Sequence, residues 1–291
     1  MNSMKIVHTR AELASALNDL SEGSRALVMT MGALHDGHLS LVRAAQEAAD
    51  HVIVSIYVNP LQFAPGEDYE AYPRDLQADV ARLATVVREG EQEPSVDIVF
   101  APIDEDIYPR APLVSIDPGP VATIYEGKTR PTHFAGVLQI VHKVFNLVHP
   151  DMAFFGQKDA QQLALVRTMV ADLNMPIDIR SVPIKRESSG LALSSRNSYL
   201  SPEERVQALA LSSSLALGVE KANEGASAGQ VLSAVEDSLT HAPGIVLDYC
   251  ALVHPDTFVE LGEHETGEGL LAVAAWIGKT RLIDNMEVQL G

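Results

Sequence analysis

The chain has 291 residues, enough for a substantial hydrophobic core and, at roughly 150 residues per domain, for two domains. Lys and Arg total 21 against 39 Asp and Glu, so the formal net charge is −18 at pH 7 and a general nucleic-acid-binding surface is not expected. An anionic substrate would therefore have to be bound by a local cluster of cations.

The sequence shows the pattern of a cytoplasmic protein. Residues 1–20 lack the continuous apolar core of a signal peptide, and the longest apolar run, 270–277, is too short to span a bilayer. The only cysteine, Cys250, cannot form an intramolecular disulfide and is typical of a reducing compartment. We therefore expect a cytoplasmic location and no membrane partner.

Up to residue 185, apolar runs typical of buried strands alternate with segments of helical periodicity. The first helix begins with a capping-box pattern, Thr9 followed three residues later by Glu12. This alternation predicts an α/β fold, a parallel sheet with helices on both faces. The predicted strands are 25–29, 51–58, 96–101, 152–155 and 177–182, and the predicted helices are 9–20, 39–45, 76–87, 133–148 and 161–173.

Beyond residue 185 the pattern changes to two helices followed by three strands. The helices are predicted at 202–224 and 227–239, and the strands at 245–253, 270–277 and 280–289. Strands that follow one another with short links favour a small antiparallel sheet. We expect a domain of residues 1–185 and a smaller α+β domain of residues 186–291.

The segment Met29–His38 joins a predicted strand to a predicted helix and contains the pattern H-x-G-H, formed by His35 and His38. A helix that begins here would direct free amide hydrogens and the positive end of its dipole at a bound phosphate. Neither a P-loop nor a Rossmann glycine fingerprint is present. A metal-binding pair of histidines and a plain polar turn are the alternatives.

Two further segments carry cations at predicted loop positions. Lys158 follows the predicted strand 152–155, where an ammonium could neutralise a phosphate, although a surface lysine is the alternative. The segment 188–197 combines hydroxyls, backbone amides and the guanidinium of Arg196, which suits a mobile flap over a triphosphate. An ordinary polar linker would have a similar composition.

Amides and one acid complete the set of candidates. Gln62 and Gln162 follow separate predicted strands, and paired amides can orient a small molecule that bears hydroxyls and a carboxylate. Asp79 could ligate Mg²⁺, or it could simply favour the start of a helix. Arg130 comes just before a helix whose N-cap is predicted at Thr132.

Several of these segments together, in this order and spacing, resemble the pantothenate synthetase family. They are Thr30–His38 (TMGALHDGH), Asn59–Phe63 (NPLQF), Tyr72–Arg74 (YPR), Arg130–Val137 (RPTHFAGV), Phe155–Asp159 (FGQKD) and Ser194–Asn197 (SSRN), with a further likeness at Thr280–Asn285 (TRLIDN). Ala78 precedes Asp79 where the family frequently has a second acid. The agreement runs from about residue 25 to 200.

The resemblance implies an ATP-dependent ligase that joins pantoate to β-alanine through a pantoyl-adenylate, giving pantothenate, AMP and pyrophosphate. It also implies a Rossmann-like N-terminal domain, a C-terminal lid, dependence on Mg²⁺ and a homodimer. The catalytic, phosphate-binding residues would be His35, His38, Lys158, Ser194, Ser195 and Arg196. Thr30, Met31, Gly156, Asp159 and Lys185 would complete the nucleotide site; Gln62, Gln162, Asn59, Tyr72, Arg130 and His133 would bind substrate, and Asp79 the metal.

Two other enzyme classes share the H-x-G-H motif and the Ser/Arg flap, and a non-enzymatic protein is a further alternative. Cytidylyltransferases and class I aminoacyl-tRNA synthetases also activate substrates by nucleotidyl transfer, although the acidic charge of this chain counts against a tRNA-binding surface. An ATP-binding regulatory protein could use the same fold without catalysing a reaction, because a fold does not determine function.

Overall fold

The structure, a computed structural model, describes residues 4–291, so the first three residues of the predicted N-terminal domain lie outside it. The chain forms two compact units. The first contains the residues up to Gly156 together with Leu165–Val182, and the second contains Gln157–Ala164 and Pro183–Gly291. A short segment after the fifth strand thus belongs to the second unit.

The first unit is built on a six-stranded parallel sheet flanked by helices, so the predicted α/β class is confirmed. The spatial order of its strands is β1-β4-β3-β2-β5-β6. The strands are β1 Lys5–Val7, β2 Arg25–Thr30, β3 His51–Ile56, β4 Ile98–Phe100, β5 Met152–Gly156 and β6 Asp178–Val182. The helices are α1 Arg10–Asn18, α2 Asp36–Ala48, α3 Leu76–Leu83, α4 Asp104–Ile107, α5 Glu126–Thr129, α6 His133–Val148 and α7 Ala160–Asp172, whose first turn lies in the second unit.

Local sequence signals explain where several helices begin. The capping box at α1 is present: the Thr9 hydroxyl accepts from the Glu12 amide, and the Glu12 carboxylate accepts from the Thr9 amide. Helix α3 begins after Asp75, whose carboxylate accepts from the Ala78 amide. It ends at Leu83 rather than at the predicted residue 87, because the chain turns there and Val87 forms an antiparallel bridge with Pro94.

The second unit contains a three-stranded antiparallel sheet in the order β7-β8-β9, as the sequence predicted. The strands are β7 Ile245–Val253, β8 Gly267–Ile277 and β9 Thr280–Leu290. Helices α8 Pro202–Asn223 and α9 Ala228–Thr240 share one hydrophobic core with this sheet. Both helices begin with a capping box, at Ser201 and at Ser227.

Within residues 4–291 there is no helix that is both long enough and apolar enough to cross a membrane.

Candidate functional site

In the sheet of the first unit, β3 and β4 lie on one side of β2, and β5 and β6 lie on the other, so the strand order changes direction between β2 and β5. Strand β3 pairs with one edge of β2 and β5 pairs with the other, both in parallel. In open α/β sheets ligands bind beyond the carboxyl ends of the strands at such a switch point. The segment that follows β2 contains the H-x-G-H motif, so the structure puts this motif where a ligand is expected.

The turn between β2 and α2 has an unusual backbone. Gly32 has φ +83° and Ala33 has φ +50°, both in the left-handed region that L side chains rarely adopt. The Thr30 hydroxyl accepts from the Gly32 amide at 3.2 Å and donates to the Ser55 carbonyl at 3.3 Å. These bonds attach the turn to the ends of β2 and β3.

Asp79, on α3, holds the same turn from the other side. Its Oδ1 accepts from the Leu34 amide at 2.7 Å and its Oδ2 from the Ala33 amide at 3.1 Å. The residue is 3% exposed, and burial raises the pKa of its carboxyl above the ordinary value, opposed by the two amide donors. Asp79 therefore fixes the left-handed backbone that leads into His35.

The two imidazoles lie side by side at the start of α2, with ring centroids 4.1 Å apart. The Gly37 amide donates to His35 Nδ1, and the His35 amide donates to His38 Nδ1, both at 3.2 Å. Because a backbone N–H can only donate, each Nδ1 must be an acceptor, and each neutral ring then has its hydrogen on Nε2. Both rings are thus oriented as Nε2–H donors at a helix N-terminus.

Gln62 is 6% exposed, and its backbone and side chain are both held in place. It lies in a 3₁₀ turn, Pro60–Gln62, that follows β3. The Asn59 side chain donates to the Gly136 carbonyl at 2.9 Å and to Gln62 Oε1 at 3.4 Å, and it accepts from the Tyr108 hydroxyl at 3.0 Å. The amide nitrogen of Gln62 contacts the sulfur of Met31. In this structure Asn59 supports Gln62.

Arg130 and His133 converge on the Gln62 carbonyl, to which they donate at 3.3 and 3.0 Å respectively. Arg130 also forms an ion pair with Glu67 at 2.7 Å. Burial acts to raise the pKa of Glu67, but the hydrogen bond and charge of Arg130, together with His133 and the Ala64 amide, bring the pKa below the ordinary value. Tyr72 is also buried, and its ring contacts Phe63, the residue after Gln62. The predicted substrate residues of this unit therefore surround one glutamine.

The surroundings of Asp79 do not fit a protein-held Mg²⁺ ion. Both carboxylate oxygens already accept backbone amides, and Ala78 provides no second acid. Among residues 4–291 there is no group of three His, Cys, Asp or Glu side chains arranged to hold a metal. The metal-ligand role of Asp79 therefore stays a prediction, and the role that the geometry gives this residue is to hold the turn.

The second unit contains the other predicted cations. Lys158 lies in a 3₁₀ turn, Gln157–Asp159, and its ammonium is 3.8 Å from the exposed Asp159 carboxylate. Gln162 is half-buried on the first turn of α7, and Lys185 is exposed. Gly156, the last residue of β5, would tolerate a Cβ, since no heavy atom lies within 4 Å of that position.

The predicted flap is a folded loop within this unit. Arg186 and Ala192 form an isolated antiparallel bridge, and the Leu193 amide donates to the Lys185 carbonyl at 2.9 Å. Ser194 then caps a 3₁₀ turn, Ser195–Tyr199, by accepting from the Arg196 amide. Ser194, Ser195 and Arg196 are only half-buried, so a ligand can reach them.

Two residues with clear structural roles had no predicted function. Asp284 and Asn285 lie in the middle of β9 and are 3% and 6% exposed. The signal that could have found them is the polar pair itself, because Leu282, Ile283 and Met286 around it are apolar and buried polar groups need partners.

The comparisons with known proteins agree on one family. Residues 5–287 match the family model described as pantoate-beta-alanine ligase. A pantothenate synthetase from Salinispora arenicola is 51% identical over 98% of this chain and 98% of its own length.

Solved structures agree with this. A crystal structure of pantothenate synthetase from Thermus thermophilus is 45% identical, with a TM-score of 0.88 over 98% of this chain and 100% of that one. A pantoate-beta-alanine ligase from Francisella tularensis, complexed with beta-gamma ATP and beta-alanine, is 34% identical, with a TM-score of 0.77 over 98% and 97%. The resemblance seen in the sequence is confirmed, and the chain belongs to the pantoate–β-alanine ligase family.

Proposed function

We propose that this enzyme condenses pantoate with β-alanine through a pantoyl-adenylate. The overall reaction, ATP-dependent formation of pantothenate with release of AMP and pyrophosphate, is that of the family to which the chain belongs. The observation that carries the proposed route is the pair of Nε2–H imidazoles at the switch point of the sheet. Donors fixed at a helix N-terminus suit the phosphates of a nucleotide.

In the first half-reaction a carboxylate oxygen of pantoate attacks the α-phosphorus of ATP, and the bond to the pyrophosphate oxygen breaks. A carboxylate is already ionised at neutral pH, so this step needs no general base. The protein has to position the reactants and neutralise the charge on the phosphates. We assign this work to His35, His38, Lys158, Ser194, Ser195 and Arg196.

Substrate and nucleotide recognition is assigned to the remaining predicted residues. Gln62 and Gln162 would donate and accept hydrogen bonds with the pantoate hydroxyls and carboxylate. Asn59, Arg130 and His133 act on substrate through Gln62, since their hydrogen bonds hold its side chain or its carbonyl. Around this core, Tyr72 would pack beside the substrate, and Thr30, Met31, Gly156, Asp159 and Lys185 would line the nucleotide site.

In the second half-reaction the neutral amine of β-alanine attacks the acyl carbon of the adenylate. The amide bond forms, the amine loses a proton, and AMP leaves with the electrons of the acyl–oxygen bond. Water must be kept from the adenylate during this step. We assign that role to the flap of residues 188–197, which contains hydroxyl and guanidinium groups for the phosphate.

We further propose that Mg²⁺ enters as the complex with ATP. Magnesium commonly binds through phosphate oxygens and water rather than through a protein cage, which agrees with the absence of a metal-binding cluster among residues 4–291. The enzyme would be a homodimer, as the family resemblance implies, and would work in the cytoplasm, as the single cysteine and the short apolar runs of the sequence led us to expect. Residues 1–185 would bind ATP and pantoate, and residues 186–291 would serve as the lid.

Isotope exchange tests the adenylate route directly. Labelled pyrophosphate should enter ATP when pantoate and Mg²⁺ are present, and β-alanine should not be required. Exchange that depends on β-alanine would indicate a concerted reaction and contradict the proposal. Exchange supported equally by another carboxylate or by an amino acid would overturn the assignment of pantoate.

A further inference from the structure

The polar pair in β9 connects two segments of the second unit that are far apart in the sequence. Asn285 Nδ2 donates to the Gln157 carbonyl at 2.8 Å and to the Lys158 carbonyl at 3.1 Å. Since both partners are carbonyl oxygens, the nitrogen of the amide must face them. One side chain thus fixes two consecutive peptide groups of the turn that carries Lys158.

Asp284 makes the second connection. Its carboxylate accepts two hydrogen bonds from the Arg186 guanidinium, at 2.6 and 2.9 Å, and a third from the Asn285 amide at 2.8 Å. Arg186 also donates to the Gly190 carbonyl at 3.2 Å and to the Asn285 carbonyl at 3.3 Å. A bidentate pair of this kind fixes orientation as well as distance. Arg186 stands at the base of the flap.

The connection continues into the flap through Glu187. The side-chain Nδ2 of Asn197 donates to the Glu187 carboxylate at 3.2 Å and to the Ala192 carbonyl at 3.0 Å. Arg205, on α8, donates to both oxygens of the same carboxylate and to the Asn197 carbonyl. Asn197 is 4% exposed and directly follows Arg196. The base of the flap is therefore held at both of its ends.

We propose that Asp284 and Asn285 are positioning residues for the phosphate-binding cations of the second unit. Asn285 sets the turn from which the Lys158 ammonium projects, and Asp284, through Arg186, sets the loop that carries Ser194, Ser195 and Arg196. Neither residue has to touch ATP. The inference rests on the proposed roles of Lys158 and Arg196 as phosphate ligands, which the experiment below tests separately.

The chemistry of the two side chains matches these tasks. An Asn at position 285 provides two N–H donors on one nitrogen, which is what two adjacent carbonyls require. An Asp substituted at position 285 would place a negatively charged oxygen against both carbonyl oxygens and repel them. At position 284 the charge of the buried carboxylate is compensated by the Arg186 guanidinium. An Asn substituted at this position has one oxygen fewer, so it would lose one of the two parallel hydrogen bonds to Arg186.

The test is a double-mutant cycle on the pantoate-dependent pyrophosphate exchange of the full-length enzyme. The variants are Asn285→Ala, Lys158→Ala and the two combined, and the control is Gln289→Ala, an exposed residue on the same strand. We expect Asn285→Ala to lower kcat about 10²-fold, the typical loss when a catalytic group is displaced by an ångström. The double variant should be no slower than Lys158→Ala, and the control should be unchanged.

Each result separates the two proposals. If Lys158→Ala alone keeps normal exchange, the proposed phosphate role of Lys158 fails. If Lys158→Ala is slow but the two losses multiply, Asn285 does not act through Lys158 and the inference fails. Unchanged kcat in a folded Asn285→Ala variant would also overturn it. If that variant does not fold, Asp284→Asn combined with Arg196→Ala repeats the cycle on the flap, where multiplied losses would equally refute the inference.

Discussion

Replacing Asp79 with Ala tests whether this carboxylate holds the turn before His35. The substitution removes hydrogen bonds of 2.7 and 3.1 Å to two backbone amides from a residue that is 3% exposed. A hydrogen bond to a charged group is worth about 1.5–3 kcal/mol, and water entering the turn recovers part of this, so we expect a loss of about 2–4 kcal/mol. At about 2–4 °C per kcal/mol for a unit of this size, Tm should fall by about 4–16 °C.

The matched control is Asp75→Ala on the same helix. Asp75 accepts one backbone bond as the N-cap of α3, and a lost cap costs about 1 kcal/mol. Scanning calorimetry of the two variants and the parent enzyme should therefore give a clearly larger shift for Asp79. The same samples should show pyrophosphate exchange reduced about 10²-fold in Asp79→Ala, because the turn orients the imidazoles.

A Mg²⁺ titration distinguishes this role from metal binding. If Asp79 anchors the turn, the Mg²⁺ concentration for half-maximal exchange should be the same in Asp79→Asn and in the parent enzyme, while Tm falls. A Tm that stays unchanged together with a raised Mg²⁺ requirement would refute the reasoning and restore the metal-ligand role.

Three further substitutions have definite expected outcomes. His38→Ala removes one phosphate donor and should lower the pyrophosphate exchange rate by a factor of about 10² to 10³. Glu67→Gln should destabilise the protein at pH 7. Because the pKa of Glu67 is lowered in the folded state, the advantage of the parent should be lost as the pH falls through that lowered pKa, as urea unfolding at neutral and at acidic pH would show. Gly32→Ala should lower stability by about 1–3 kcal/mol in thermal unfolding, because φ is +83° and the added Cβ would lie 2.9 Å from Asp79 Oδ2.

The regular elements could be predicted because their signals are local. Helix α6 begins and ends where its apolar periodicity predicted, at His133 and Val148, and β7 likewise spans 245–253. Strand β1 was not predicted, since Lys5–Val7 is too short to show a period and only Val7 is buried. The premature end of α3 depends on a bridge between Val87 and Pro94, which helical periodicity cannot reveal.

The residues of the candidate site likewise fall into those that a local motif predicts and those whose roles depend on long-range contacts. The imidazole pair is visible in the sequence because both histidines lie in one motif at a strand-to-helix junction. The anchoring role of Asp79 depends on bonds to residues 45 and 46 positions away, and that of Asn285 on bonds across 127 and 128 positions. Contacts of that range are set by tertiary packing, so a local pattern can mark a buried polar residue in the sequence but cannot identify its partner.

Residues 157–164 belong to the second compact unit although the residues on either side of them belong to the first, and this limits how the protein can be divided into fragments. The polypeptide passes from one unit to the other after Gly156, returns after Ala164 and leaves again after Val182. A recombinant fragment that stops at Val182 would contain the Gln157 and Lys158 carbonyls without the side-chain Nδ2 of Asn285 that donates to them. Truncation would therefore leave these peptide groups to water and remove the bonds that order the Lys158 turn, so either unit is better studied within the full-length chain.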